Sequence, residues 1–232
     1  MKVLVIPDVH LKEKMFSDAS TLMKNSVADK AVCLMDIADD WGADIAFYEE
    51  AYDVAIQFAI EFPQTLWCYG NHDLSYLWHQ YESGFNIKAL YIVQRKLLDL
   101  REVADIRYVH RIDNVLFSHG GVSKVFVEQY VPMPSNNNVD AVLDTINNKL
   151  GVNEMWIDSS PIWLRPQNAN IQLYKPYEFL QVVGHTPQRY ITRTGNLIST
   201  DVFSTYTDGR PIGTEEFLLL DTETWRFSGI KV

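Results

Sequence analysis

Five times along this chain a short apolar run breaks off at a residue type that can ligate a metal. The five ends are Val5-Ile6-Pro7-Asp8-Val9-His10, Cys33-Leu34-Met35-Asp36, Cys68-Tyr69-Gly70-Asn71-His72-Asp73, Phe117-Ser118-His119-Gly120-Gly121 and Val182-Val183-Gly184-His185-Thr186. Short apolar runs with abrupt stops read as buried β-strands. In open α/β sheets, ligands bind beyond the carboxyl ends of the strands. A fold that gathers these ends would therefore bring all five into one crevice. Four of the six histidines sit at them; His79 and His110 do not, and read as ordinary hydrogen-bonding residues.

The intervening segments set the fold class. Val3–Ile6 is stopped by Pro7, Phe16–Val27 has helical spacing, Lys30–Met35 is a second strand, Ala46–Phe62 a second helix ended by Pro63, and Gln64–Tyr69 a third strand. This alternation builds a parallel sheet. Leu74–Arg101 reads as helical with a break near Gly84, and its aromatics (Tyr76, Trp78, Tyr81, Phe85, Tyr91) read as packing of a helical cap. Ile106–His110 and Val115–Ser118 are short strands around the turn Asp113-Asn114. Ser123–Tyr130 and Val139–Leu150 are helical, with a loop at Pro132–Asn138 between them. Gly151–Pro176 has no regular pattern and is placed as a loop over the site. Phe179–Val183, Leu197–Asp201 and Glu216–Asp221 read as strands, and Trp225–Val232 closes a hairpin through Thr222-Glu223-Thr224. Neither a repeat nor a linker divides the sequence. Residues 1–232 are expected to form one domain, with a helical cap-like segment at about 74–103.

Composition narrows the partners. The net charge of −10 repels nucleic-acid backbones and disfavours a stable nucleic-acid partner. One phosphorylated substrate remains compatible, because bound cations reverse the local field. Cys33 and Cys68 both fall inside expected strands, as small buried side chains rather than a disulfide scaffold. The opening apolar run is too short for a signal peptide, and no apolar stretch reaches membrane-spanning length. Cytoplasmic localisation is the expectation, with no membrane partner.

Imidazole nitrogen together with carboxylate oxygen suits borderline divalent cations such as manganese, iron or zinc. A carboxylate can bridge two of them at the spacing of two-metal hydrolytic sites. No thiol is required, which sets a structural zinc cluster aside. As an ordered set, the five blocks resemble the calcineurin-like metallophosphoesterase superfamily. His119-Gly120-Gly121 and Gly184-His185-Thr186 are most similar to its phosphoprotein phosphatase branch, which includes symmetrical diadenosine tetraphosphatases. The resemblance runs from Val3 to about Asp201.

The resemblance implies an α/β fold in four layers, a sandwich of two β-sheets flanked by helices. It implies two divalent metal ions, with manganese the first choice, and hydrolysis by a metal-bridging hydroxide. By position, Asp8 and His10 match ligands of the first metal, Asp36 the bridging carboxylate, and Asn71, His119 and His185 ligands of the second. His72 matches the acid that assists the leaving group, and Asp73 the residue that orients it. Arg165, in Pro161-Ile162-Trp163-Leu164-Arg165-Pro166, and Asn71 match phosphate-contacting positions. Asp201 matches a late-strand aspartate and reads as structural.

Two departures concern the second block, usually Gly-Asp-x-x-Asp-Arg-Gly and here Met35-Asp36-Ile37-Ala38-Asp39-Asp40-Trp41. Met35 replaces a glycine. Asp40 replaces the arginine that contacts phosphate, removing an attraction. The expected activity is phosphomonoester hydrolysis of the serine/threonine phosphatase type, on a phosphorylated small molecule, nucleotide or phosphoprotein. The alternatives are a dinucleoside polyphosphate hydrolase or phosphodiesterase and, more remotely, a non-catalytic interaction scaffold. The filled ligand set favours an enzyme. Pro7-Asp8-Val9-His10 after the first strand, in place of a glycine-rich loop, excludes a nucleotide-binding Rossmann protein.

Overall fold

A computed structural model describes residues 1–168 and 171–232 of the chain. Residues 169 and 170, within the loop expected over the site, lie outside the described residues. The first strand, β1 (Lys2–Ile6), shows how the fold is specified. Its residues alternate between two faces, as any strand's must. Val3 and Val5 join one apolar cluster, Leu4 and Ile6 the other, and all four are fully buried. A strand covered on both sides reads as a continuous apolar run, and each such side chain contributes roughly 1.5–3 kcal/mol by leaving water.

β1 pairs in parallel with β2 (Lys30–Cys33), which pairs with β3 (Leu66–Cys68), which pairs with β4 (Asp105–Arg107). On the other flank β10 (Phe217–Asp221) runs antiparallel to β1 and carries β11 (Phe227–Ile230) in the expected hairpin. The second sheet has the order β5 (Val109–Ile112), β6 (Val115–Ser118), β7 (Leu180–Val183), β9 (Leu197–Ser199) and β8 (Thr192–Thr194). Val32, Leu34, Cys68, Phe117, Val182 and Ile198 fill the seam between the sheets. Helices α1 (Lys14–Lys24), α2 (Ile45–Glu61) and α4 (Leu90–Val103) cover the outer face of the first sheet through Phe16, Tyr52, Phe58 and Leu97. α5 (Lys124–Tyr130) and α6 (Val139–Asn148) supply Phe126, Val142 and Ile146 to the cluster holding Leu116 of the second sheet. The expected two-sheet α/β sandwich with flanking helices is the observed fold.

The element bounds differ from the expectation in instructive places. Ile106–His110 is two strands, because the chain leaves one sheet for the other at Tyr108. The Asn147 side chain holds that crossing, its Oδ1 accepting from the amides of Tyr108 and Val109 at 3.0 Å each. The segment read as one broken helix over 74–101 is α3 (Asn71–Trp78), a 3₁₀ turn at Ile87–Ala89, and α4. His79, in the left-handed region at φ 54°, ends α3. α4 packs along α2, while residues 82–84 reach the site. β8 is fully exposed and so gave no apolar signal. One short helix, α7 (Val152–Met155), lies in the otherwise irregular stretch after Gly151. Cys33 and Cys68 are buried and free.

Candidate active site

All five strand ends do converge. β1, β2 and β3 deliver Asp8, Asp36 and Asn71 from the first sheet, and β6 and β7 deliver His119 and His185 from the second. The loops after β1 and β2 are stitched by backbone bonds beyond the strands: the His10 amide donates to the Asp36 carbonyl at 2.7 Å and the Leu11 amide to Ile37 at 2.9 Å. The path is tight, and His10, Leu11, Met35, Asp36, Asp39 and His185 all adopt positive φ. This conformation costs an L-residue roughly 1–2 kcal/mol. Met35, at φ 56°, stands where glycine was expected, and burial holds it there.

Glycine is obligatory at two other points. A Cβ on Gly70 would overlap the Asp36 carboxylate, and a Cβ on Gly184 would overlap that of Asp8. Both Asp8 oxygens accept from the His185 amide, at 2.6 and 3.0 Å. Gly184→Ala must displace that buried carboxylate from its donor. It is expected to lower unfolding stability by about 1–3 kcal/mol, read as a shifted denaturant midpoint.

The centre of the site is His119, fully buried. Its Nδ1 donates to the Leu34 carbonyl at 2.9 Å, which aims Nε2 inward. Around Nε2 stand Asn71 Oδ1 at 3.0 Å, Asp36 Oδ2 at 3.1 Å and His185 Nδ1 at 3.2 Å. One N–H cannot serve three acceptors. Four lone-pair atoms crowded on one point are what a cation resolves, so this donor set fits a divalent metal. Among the described residues, Asp36, His119 and His185 form the His/acid group whose ligating atoms all lie within 4.8 Å of one another. Asp8 and His10 fall outside that group. His10 Nδ1 donates to the Asp39 carbonyl at 2.8 Å, which leaves Nε2 free for the cavity.

Without a cation, the charges compete. Burial opposes the His119 imidazolium, but Asp36 and Asp8 outweigh it and hold its pKa up at about 9. Burial would raise Asp36, yet His119 and His72 keep it far below the usual carboxylate range. Asp8 is pushed well up, first by burial and then by Asp201. Burial and the neighbouring imidazoles lower His185 and His10, which favours their neutral form.

His72 begins α3 with its neighbours Asn71 and Asp73, but its orienting partner is not Asp73. His72 Nδ1 donates to Asp39 Oδ2 at 2.9 Å. Asp39 is itself fixed by the hydroxyls of Tyr48, at 2.9 Å, and Tyr76. The Asp73 carboxylate instead accepts from the amides of Ile37 and Ala38 and from the Tyr52 hydroxyl, anchoring the loop that carries Asp36 and Asp39. At the start of α3, adjacent residues diverge by about a third of a turn, so the carboxylate of Asp73 cannot follow the ring of His72. Burial works against the imidazolium of His72, but Asp36, Asp39 and Glu82 outweigh it and raise its pKa to about 10.

His10, Asp36, Asp39, His72 and His185 line a cavity of about 430 Å³ that also exposes Arg165, Asp40 and Asp201. Arg165 Nη1 is steered by the His185 carbonyl at 2.8 Å and Thr186 Oγ1 at 3.2 Å. Asp40 is paired with Lys12 at 3.0 Å, so its charge is largely answered. Asp201, read as structural, accepts from Ser204 Oγ at 2.8 Å and forms part of the cavity wall.

A model of calcineurin-like phosphoesterases matches residues 1–209. The chain belongs to the calcineurin-like phosphoesterase family. It is accordingly a metal-dependent phosphoester hydrolase. Similar solved structures support the same fold. A cold-active protein-tyrosine phosphatase of a psychrophilic Shewanella species has 18% identity and a TM-score of 0.58, over 99% of this chain and 80% of that one. A hypothetical protein from Pyrococcus horikoshii has 14% identity and a TM-score of 0.52, over 100% and 87%. A metallophosphoesterase from Sphaerobacter thermophilus has 14% identity and a TM-score of 0.50, over 100% and 88%. No curated protein matches the chain. No helix among the described residues is long and apolar enough to cross a membrane.

Sequence reasoning missed the role of Asp39, although it noted that this aspartate survives in the second block. It also missed Tyr48, Tyr76 and Glu82. The tyrosines carried only a packing signal, and Glu82 lies in no motif.

Proposed function

We propose that this calcineurin-like phosphoesterase is a phosphomonoesterase of the serine/threonine phosphatase type that works with two divalent cations, manganese foremost. The observation that carries the reading is the crowding of Asn71, Asp36 and His185 donor atoms around His119 Nε2 at 3.0–3.2 Å. Asn71, His119 and His185 would hold one cation, Asp8 and His10 the other, and Asp36 both. When bound, the cations polarise the phosphoryl group and lower the pKa of a water.

The chain's own residues do the rest. His72, kept protonated by Asp36 and Asp39, gives a proton to the departing oxygen. Arg165 offers its guanidinium to the phosphoryl oxygens, and Asn71 stands beside them. Monoesters are favoured over polyphosphates because Arg165 is the one arginine or lysine among the described cavity-lining residues. A chain of phosphates would find a single guanidinium to contact. The free, buried Cys33 and Cys68 suit a reducing compartment, in keeping with work in the cytoplasm.

The test is a panel of aryl phosphate, phosphopeptide, aryl diester and diadenosine tetraphosphate, assayed with and without chelator. Monoester turnover that chelation abolishes and manganese restores is the expected result. Faster turnover of the tetraphosphate would instead favour the polyphosphate hydrolase. Metal uptake must also displace the His119 proton. Because that group's pKa is raised to about 9, apparent manganese affinity should strengthen as pH rises from 6.5 to 9 and level off above. Calorimetry in buffers of different ionisation enthalpy would register the released proton.

A further inference from the structure

Glu82 comes from the connection between α3 and the 3₁₀ turn, outside all five motif blocks, yet its side chain is only 7% exposed. Its Oε2 accepts from the Asn71 side-chain Nδ2 at 2.7 Å. Its Oε1 lies 3.9 Å from His72 Nδ1 and has no hydrogen-bond partner. A carboxylate is not buried against two other acidic residues, Asp36 and Asp39, without a compensating role.

The role follows from the chemistry of asparagine. A carboxamide has one end that accepts and one that donates, and the two ends have nearly the same shape. With oxygen inward, Asn71 presents a lone pair to the cage, 3.0 Å from His119 Nε2. With nitrogen inward, it would point two N–H donors at a cation. Nothing in the amide itself selects between these states. Glu82 in its carboxylate form, with Oε2 at 2.7 Å from the nitrogen, does, because a carboxylate can bond only the donating end.

We infer that Glu82 is a positioning residue of the metal centre, holding the Asn71 carboxamide so that its oxygen faces the cage. The inference rests on the proposed metal-binding role of Asn71, and it makes the loop over residues 79–86 part of the machinery that sets metal affinity.

The experiment is calorimetric titration with Mn²⁺ alone, which needs no turnover. Glu82→Ala should weaken binding about 10–100-fold, the usual effect of removing a residue that orients a ligand, and Glu82→Gln, whose carboxamide can offer either an acceptor or a donor, should lose less than Glu82→Ala. Asn71→Asp decides the mechanism, because both of its ends are oxygen. In the wild-type background it should weaken binding, since two carboxylates would then face each other. In the Glu82→Ala background it should tighten binding relative to Glu82→Ala alone, a reversal of sign that simple loss of packing cannot produce. Melting of the metal-free variants checks their folding. If Glu82→Ala does not fold, Asn71→Asp/Glu82→Gln should bind more tightly than Asn71→Asp alone. Wild-type affinity in Glu82→Ala, or no gain from either double variant over its reference, overturns the inference while leaving the hydrolase reading standing. Failure of the wild-type protein to bind Mn²⁺ overturns both.

Discussion

Asp36→Asn is expected to abolish metal uptake and hydrolysis together while leaving a folded protein. Asp36 is 2% exposed and uses both oxygens: Oδ1 accepts from the His72 amide at 2.9 Å and Oδ2 faces His119 Nε2 at 3.1 Å. Its charge is the main support of the imidazolium on both His72 and His119. The same charge raises Asp73 to about 7 and Glu82 to about 7, in each case adding to burial. Neutralising it in the metal-free protein therefore withdraws support from two cations and relieves repulsion on two acids. These effects oppose each other, so the metal-free melting temperature should move little. The loaded protein should behave differently. A ligand at one hundred times its Kd stabilises the wild type by about 2.7 kcal/mol. The variant should show no rise in melting temperature with manganese and no metal by elemental analysis. A variant that retains metal and half its rate would remove Asp36 from the bridging position.

His72→Asn should do the reverse, keeping metal while losing rate by about 10²–10⁴-fold on a substrate with a poor leaving group. On an activated aryl ester, where the departing oxygen needs no proton, the loss should be far smaller. The partner assignment gives a second handle. Asp39 is among the groups that hold the His72 proton. Asp39→Asn lowers the folded-state pKa of His72, so the alkaline fall in kcat should move to lower pH. Asp73→Asn touches the anchor of the loop after β2 instead, and should reduce stability without moving that limb. If Asp73→Asn shifts the limb and Asp39→Asn does not, the observed pairing plays no part in catalysis.

The contrast between Asp39 and Asp73 shows what a sequence can and cannot disclose. Strand ends are legible because an apolar run has nowhere to go but the interior, and the residue that stops it must face the sheet edge. Asp8, Asp36, Asn71, His119 and His185 were all readable in this way, and so was the parallel order of β1, β2 and β3. Partnership is another matter. Asp73 follows His72 directly, yet helix geometry sends it elsewhere, while Asp39 arrives from a different strand end through a loop with positive φ. Glu82 has no motif because it meets the site from a connection with no strand end, through one hydrogen bond to Asn71. The sheet change at Tyr108 was equally hidden, since an apolar residue on either side of a crossing looks like one continuing in line. β8, exposed throughout, had no burial to advertise.

The donors around His119 are drawn from both sheets, and this bears on more than chemistry. Asp36 and Asn71 hang from one half of the sandwich, His119 and His185 from the other. An ion held by all four, as proposed, would tie together two sheets that otherwise meet only through an apolar seam that includes Val32, Leu34, Phe117, Val182 and Ile198. Extracting it should quicken amide exchange along β2 and β6 alike, because two strands from different sheets lose the same tether while the chain stays folded.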